Sequence, residues 1–349
     1  MAIEQQLLQA IREAPDDDAP RLVYGDLLLS KGDPRGELIQ VQCRLGDESI
    51  TATERRRLRI SENKLLAAHG AAWNAQVLAA VGEQPGGAPA LTPVKVELRR
   101  GFVDMVRAPA YALLRLDALH EVAPLLTKLR IDPNSYEKPH ALVAGDLDSP
   151  CIAGLRTLRL TLPGASDEGA RTIAACRHLS GLRELAVTFV GWDFSVMNVA
   201  QTPGDLPPPI PTLGPEGVRA LATSPHLAGV RSLDLGNTQL GAEGVTAIVG
   251  SAARWKLEEL ALTSTGLDAA AIAVLADAPS CSRLKRLVLQ GGSRRRLSRP
   301  GARSLYGVKG HHALRSLFGS LSRRSRRYHC RVLLFGEGRG HVADRLGVV

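Results

Sequence analysis

The sequence predicts an α/β fold: a solenoid of repeated strand–helix units, with parallel strands on a concave face and helices outside, behind a small all-α N-terminal module. Three observations predict it. The pattern Leu-x-x-Leu-x-Leu recurs as Leu155-Leu158-Leu160, Leu182-Leu185-Val187, Val230-Leu233-Leu235, Leu257-Leu260-Leu262 and Leu284-Leu287-Leu289, with a weaker copy at Leu126-Leu129-Ile131 and a partial one at Leu314-Leu317. Intervals between the first leucines are 29, 27, 48, 27, 27 and 30 residues, mostly near the period of about 20–29 residues that marks stacked repeat units. Finally, the last two apolar positions of each copy alternate with a polar one, as in Leu158-Arg159-Leu160, which is the period of a short strand buried on one face.

A helical stretch follows the strand, for example Gly217–Ala222 and Gly244–Val249. A strand followed by a helix, repeated with one hand, gives parallel strands with the helices on one side. One unit cannot bury its own leucines, whereas stacked neighbours can. Aromatic residues make up only 4% of the 349 residues, as suits a core layered from aliphatic side chains.

The elements ahead of the array follow from local pattern. Ile3, Leu7 and Ile11 share one face of a first helix, ended by Pro15. Asp16, Asp17 and Asp18 stand where carboxylates cap the start of a second helix over about 19–31; capping is a plainer reading of this triplet than a metal site. Gly32 and Pro34 end that helix. A third helix is expected over about 36–45 and a fourth over about 52–69, within a helical module spanning 1–80. Residues 81–93, rich in Gly, Pro and Ala, read as a linker. Alternation on both sides of Gly101 predicts a hairpin, which with a helix near 111–121 makes 94–121 a cap over the first unit, since terminal leucines otherwise face water. The array then spans 122–320, and 321–349 forms a basic tail.

Two resemblances add to this reading. Residues of about 126–320 resemble the ribonuclease-inhibitor-like class of leucine-rich repeats, on Leu233-Asp-Leu235-Gly-Asn-Thr-Gln-Leu240-Gly-Ala-Glu-Gly244, on Leu260-Ala-Leu262-Thr-Ser-Thr-Gly-Leu267 and on the helix start Ser166-Asp167-Glu168-Gly169. That family usually has Asn three residues after the last strand leucine. Here Thr238 and Thr265 stand there, whose hydroxyls can bond a backbone group, while Pro163 and Val190, which cannot, make the early units less regular. The first 45 residues resemble the bacterial repeat-companion domain, on Ala14-Pro-Asp-Asp-Asp-Ala-Pro-Arg-Leu-Val-Tyr-Gly-Asp26 and Gly32-Asp-Pro-Arg-Gly-Glu-Leu-Ile-Gln-Val-Gln42. Gly25 and Leu27 stand where that family usually has Ala and Trp. The resemblance implies company with repeats and no particular activity.

Such a chain presents surface, so binding is the expected function. The positions flanking the second strand leucine form two outward columns: Lys128, Thr157, Glu184, Ser232, Glu259, Arg286 and Ser316, and beside it Arg130, Arg159, Ala186, Asp234, Ala261, Val288 and Phe318. The partner-binding candidates on this concave face are Arg130, Arg159, Glu184, Asp234, Glu259 and Arg286; the alternative is a merely solvated strand face. The long interval holds an insertion, 189–214, whose Trp192, Phe194 and Met197 either anchor an interface or seal the array.

Net charge divides unevenly. Residues 291–349 hold 14 Lys or Arg against Glu337 and Asp344, a net +12, while residues 1–290 carry 30 basic and 33 acidic side chains, a net −3. The arginine-rich end could neutralise nucleic-acid phosphates, remain a solvated tail, or result from a shifted reading frame.

Catalysis finds little support. His311, His312, His329 and Cys330 have no standard zinc spacing, and neither a phosphate loop nor a G-x-S-x-G or H-E-x-x-H motif occurs. No metal, cofactor or small-molecule substrate is expected. Five dispersed cysteines and no apolar leader predict a reduced, cytoplasmic setting, and no run resembles a membrane span. The partner is expected to be a protein, with nucleic acid as the alternative through the tail.

Overall fold

A computed structural model describes residues 3–83, 93–133, 142, 144–161, 166–188, 213–251, 255–263, 265–278, 284–290 and 331–335. The fold is mixed α/β and divides into two compact units, residues 1–130 with 149–155, and residues 131–148 with 156–349.

The first unit opens with α1 (Ile3–Glu13), α2 (Ala19–Ser30), α3 (Arg35–Gly46) and α4 (Ala52–Val81). Two expectations change here. Asp18 makes no side-chain cap at the start of α2; Asp17 Oδ1 accepts from the Ala19 amide at 2.9 Å, and Asp18 forms an ion pair with Arg100 at 2.9 Å. The fourth helix runs to Val81 instead of stopping near residue 69, because Ala71 to Val81 holds good helix formers and no breaker before Gly82, whose φ of 71° ends it.

Helices α2 and α3 cross at two glycines. A Cβ on Gly36 would collide with the Gly25 carbonyl and lie 2.8 Å from Leu29 Cγ, so only hydrogen fits and the backbones approach closely. Beneath the crossing, Ile11, Tyr24, Leu28, Ile39, Cys43 and Phe102 form a core. Tyr24 stacks on Phe102 with centroids 5.7 Å apart.

Phe102 arrives from the expected hairpin, β1 (Lys95–Arg99) antiparallel to β2 (Phe102–Pro109). Arg100 and Gly101 both have positive φ, 53° and 77°, as a two-residue hairpin turn requires. The turn is clamped from α3: Gln42 Oε1 accepts from the Gly101 amide at 2.7 Å, Gln42 Nε2 donates to the Leu98 carbonyl at 3.0 Å and to Glu62 of α4 at 2.9 Å, and Arg35 Nε donates to the Gly101 carbonyl at 2.7 Å. A 3₁₀ turn over 110–115 leads into α5 (Leu116–Val122). Strand β3 (Lys128–Asp132) contains the division between units, and the short α6 (Pro150–Ala153) belongs to the first.

The second unit alternates β4 (Thr157–Thr161), α7 (Asp167–Ala175), β5 (Glu184–Thr188), α8 (Pro215–Thr223), β6 (Ser232–Asp234), α9 (Gly241–Gly250), β7 (Glu259–Thr263), α10 (Ala269–Asp277), β8 (Arg286–Gln290) and β9 (Arg331–Phe335). Strands β4 to β9 are parallel, paired in sequence order, and not closed into a barrel. Leu158, Leu185, Leu233, Leu260 and Leu287 meet in register, and all five are buried.

Local chemistry explains the turns. Ser166 Oγ accepts from the Gly169 amide at 3.2 Å, capping α7 at the expected helix start. The Thr238 hydroxyl donates to the Leu235 carbonyl at 2.6 Å and Thr265 to Leu262 at 3.1 Å, both buried. Asp167 Oδ1 leaves its own helix to accept from the Gly214 and Gly217 amides at 2.7 and 2.9 Å, so it caps α8.

The strand paired to β8 is β9, with Arg331 opposite Arg286. It lies in the span read from sequence as a basic tail, and it takes the place expected of Ser316 and Phe318. Leu314-Leu317, Pro163, Val190 and most of the 81–93 linker lie outside the described residues.

Candidate interaction face

Along β4 to β8 the buried leucines alternate with outward side chains, as a strand with one packed face dictates. Register sets two rows opposite the leucines, exposed or half-buried except at the buried Ala186. One runs Thr157, Glu184, Ser232, Glu259, Arg286; the other runs Arg159, Ala186, Asp234, Ala261, Val288. Neighbouring strands are about 4.8 Å apart, so each row is a ladder of side chains within mutual reach.

Five of the six predicted charged residues therefore share this face. Arg159 lies 3.9 Å from Glu184, and Arg286 lies 3.9 Å from Glu259, with side chains about half exposed in both pairs. These long, exposed contacts contribute little to stability. Ser232 Oγ donates to Glu259 at 3.4 Å. Asp234 Oδ1 accepts from the Gly236 amide at 3.0 Å. Its neighbours in the same row are Ala186, which is buried, and Ala261, and the middle of the face carries Glu184, Asp234 and Glu259. The sixth residue, Arg130, is exposed on the first-unit part of β3. Trp192, Phe194 and Met197, with residues 189–212 of the insertion that carries them, lie outside the described residues.

A third row was not anticipated from sequence. The residue after the first leucine stands just before its strand, as Arg183, Arg231, Glu258 and Lys285 do ahead of β5 to β8. Glu258 takes Lys285 at 2.6 Å and Arg231 at 3.1 Å, bridging three successive strand starts. The hydrogen bond from Lys285 is the main reason its carboxyl titrates below the usual range. The signal was present, since the pairs Leu182-Arg183, Val230-Arg231, Leu257-Glu258 and Leu284-Lys285 recur in step with the leucines.

Among the described residues, no group of three or more His, Cys, Asp or Glu side chains could hold a metal ion. The strongly shifted groups belong to the first unit, where burial first and foremost pushes the Tyr24 phenol, the Cys43 thiol and the Cys151 thiol up to about 12. Thiols so buried are poor nucleophiles. The face itself offers charges and hydroxyls at fixed spacing, which suits recognition. Among the described residues no helix is long and apolar enough to cross a membrane.

No family model matches the chain, and no curated protein matches it significantly.

Proposed function

We propose that this chain is a non-catalytic protein-interaction scaffold or adaptor. In this reading the second unit is a solenoid of ribonuclease-inhibitor-like leucine-rich repeats, behind a repeat-companion module, working in the bacterial cytoplasm. Its strand face is the partner-binding surface. The observation that supports this is the charge order imposed by the leucine register: Arg159 at one side, Glu184, Asp234 and Glu259 in the middle, Arg286 at the other. Repeat arrays commonly bind on such a face. An acidic segment of the partner would meet Arg159, and a basic segment would meet Asp234 and Glu259.

The test is affinity capture from native lysate with the full-length chain after nuclease treatment, read by mass spectrometry. A discrete protein should be enriched, and Asp234→Lys with Glu259→Lys should weaken its binding by tenfold or more, by order of magnitude. Unchanged affinity in that double variant removes the strand face from the reading. The net +12 of residues 291–349 favours a second reading, in which that end contacts nucleic acid. Retention on nucleic acid that falls steeply with salt, and disappears in a chain ending at residue 290, would support it.

A further inference from the structure

Helix α2 carries Leu22, Val23, Tyr24, Leu27, Leu28 and Leu29 in a 12-residue span, more apolar side chains than its one packed face holds. Asp26 and Ser30 interrupt them on the opposite side. Here Tyr24, Gly25 and Leu28 are buried, yet Leu22, Val23 and Leu29 remain 39, 53 and 41% exposed. At 100° per residue, Leu22, Asp26 and Leu29 fall within one arc of about 60°. This arc stands beside the first turn of α3. Gly36 is packed against Leu29, Glu37 follows it exposed, and Gln40 Nε2 donates to Asp26 Oδ1 at 2.7 Å one turn later. The open face is thus a leucine pair with a carboxylate between them and another alongside.

We propose that this α2 face is a docking surface for a basic amphipathic helix of a protein partner. Its apolar residues would lie on Leu22, Val23 and Leu29, and its Lys or Arg side chains would meet Asp26 and Glu37. Charge argues for this occupant over a second copy of the chain. A two-fold pairing of the face with itself brings Asp26 and Glu37 toward their own copies, a like-charge contact that costs affinity. The surface shares no residue with the strand face of the second unit.

The probe is a labelled synthetic helical peptide with leucines at i, i+3 and i+7 and lysines elsewhere on that face, titrated into the full-length chain and read by fluorescence anisotropy. A control peptide carries glutamate in place of lysine. Saturable binding of the basic peptide is expected, with the acidic one at least roughly tenfold weaker. Leu22→Ser with Leu29→Ser, and separately Asp26→Lys with Glu37→Lys, should each weaken the basic peptide by roughly tenfold or more. These side chains are exposed, and circular dichroism verifies that both variants keep the fold. No saturable binding of the basic peptide, equal binding of the acidic peptide, or unchanged binding in the variants overturns the proposal. Concentration-dependent dimers that vanish in the leucine variant would assign the face to a second copy instead. A carbodiimide cross-link from Asp26 or Glu37 to Lys309 of the same chain would assign it to the chain's own basic segment. Either result overturns the proposal.

Discussion

The helical unit is held by contacts that each occur once, among them a close helix crossing and a hairpin turn, whereas the strand–helix unit repeats one leucine contact four times. In the first, Gly25 and Gly36 let two helices touch, and the one side chain of Gln42 bonds both the hairpin and α4 from α3. In the second, Leu185, Leu233 and Leu260 each sit between leucines, in a row that Leu158 and Leu287 complete. Redundancy differs accordingly. Damage to the first unit is concentrated at a few positions that no other residue duplicates, while damage to the second is graded by layer and propagates only to the next layer.

Leu233→Ala should give the largest effect. It opens a cavity in a central layer and is expected to cost about 2–5 kcal/mol; a denaturant titration that matches wild type would dissolve the contrast, because no layer would then depend on its leucine. Gly36→Ala, an addition of one methyl group, should cost roughly 3 kcal/mol, since its neighbours are the Gly25 carbonyl and the Leu29 backbone, which cannot swing aside. Equal losses from Gly36→Ala and from Gly250→Ala, where a Cβ meets nothing, would mean that the close crossing is unimportant. Gln42→Ala leaves the Gly101 amide without its bond and should cost about 1–3 kcal/mol, with hydrogen exchange at Gly101 rising before that of the second unit's strands.

Smaller effects come from titration. Cys43 and Cys151, held up to about 12 by burial, are expected to resist alkylation at pH 8 in the folded chain and to react once it is unfolded; mass spectrometry distinguishes the two. Because these folded values are raised, the stability tied to the neutral thiols is full below the unfolded value of about 8.5 and is lost as pH climbs toward 12. Glu258 is the opposite case. Its lowered value means that its contribution is present above the unfolded carboxylate range and is lost as pH falls through the folded value. Glu258→Ala should cost less than about 1 kcal/mol, because the ion pairs with Arg231 and Lys285 are at the surface.

What was readable in the sequence is what repeats or is local. The leucine spacing anticipated strands that the register aligns residue for residue, Ser166 announced the start of α7, and the alternation around Gly101 announced the hairpin. The unreadable parts depend on partners distant in the chain. Asp18 looked like a cap until Arg100, 82 positions on, appeared beside it. Asp167 looked like an ordinary acid in the first turn of α7, yet it closes the amides of Gly214 and Gly217, 47 and 50 positions on. Helix α4 runs past the expected end near residue 69 to Val81, because a glycine such as Gly70 inside a helix costs only about 1 kcal/mol. The five charged positions on the strand face were legible from alternation alone, but the Glu258 bridge needed three adjacent strand starts to be seen together.

The equal register of β6 on β7 and of β7 on β8 has a consequence for how such a chain can change over generations. Leu233 meets Leu260 as Leu260 meets Leu287. A chain losing residues 240–266 would bring Leu233 against Leu287, with the hydrophobic layer intact. The outward rows would not survive so evenly: Ser232 would find Arg286 beside it, and Glu259 and Ala261 would be gone. Loss or duplication of whole units thus rewrites what the molecule displays while leaving what holds it together unedited, in heritable steps of 27 residues.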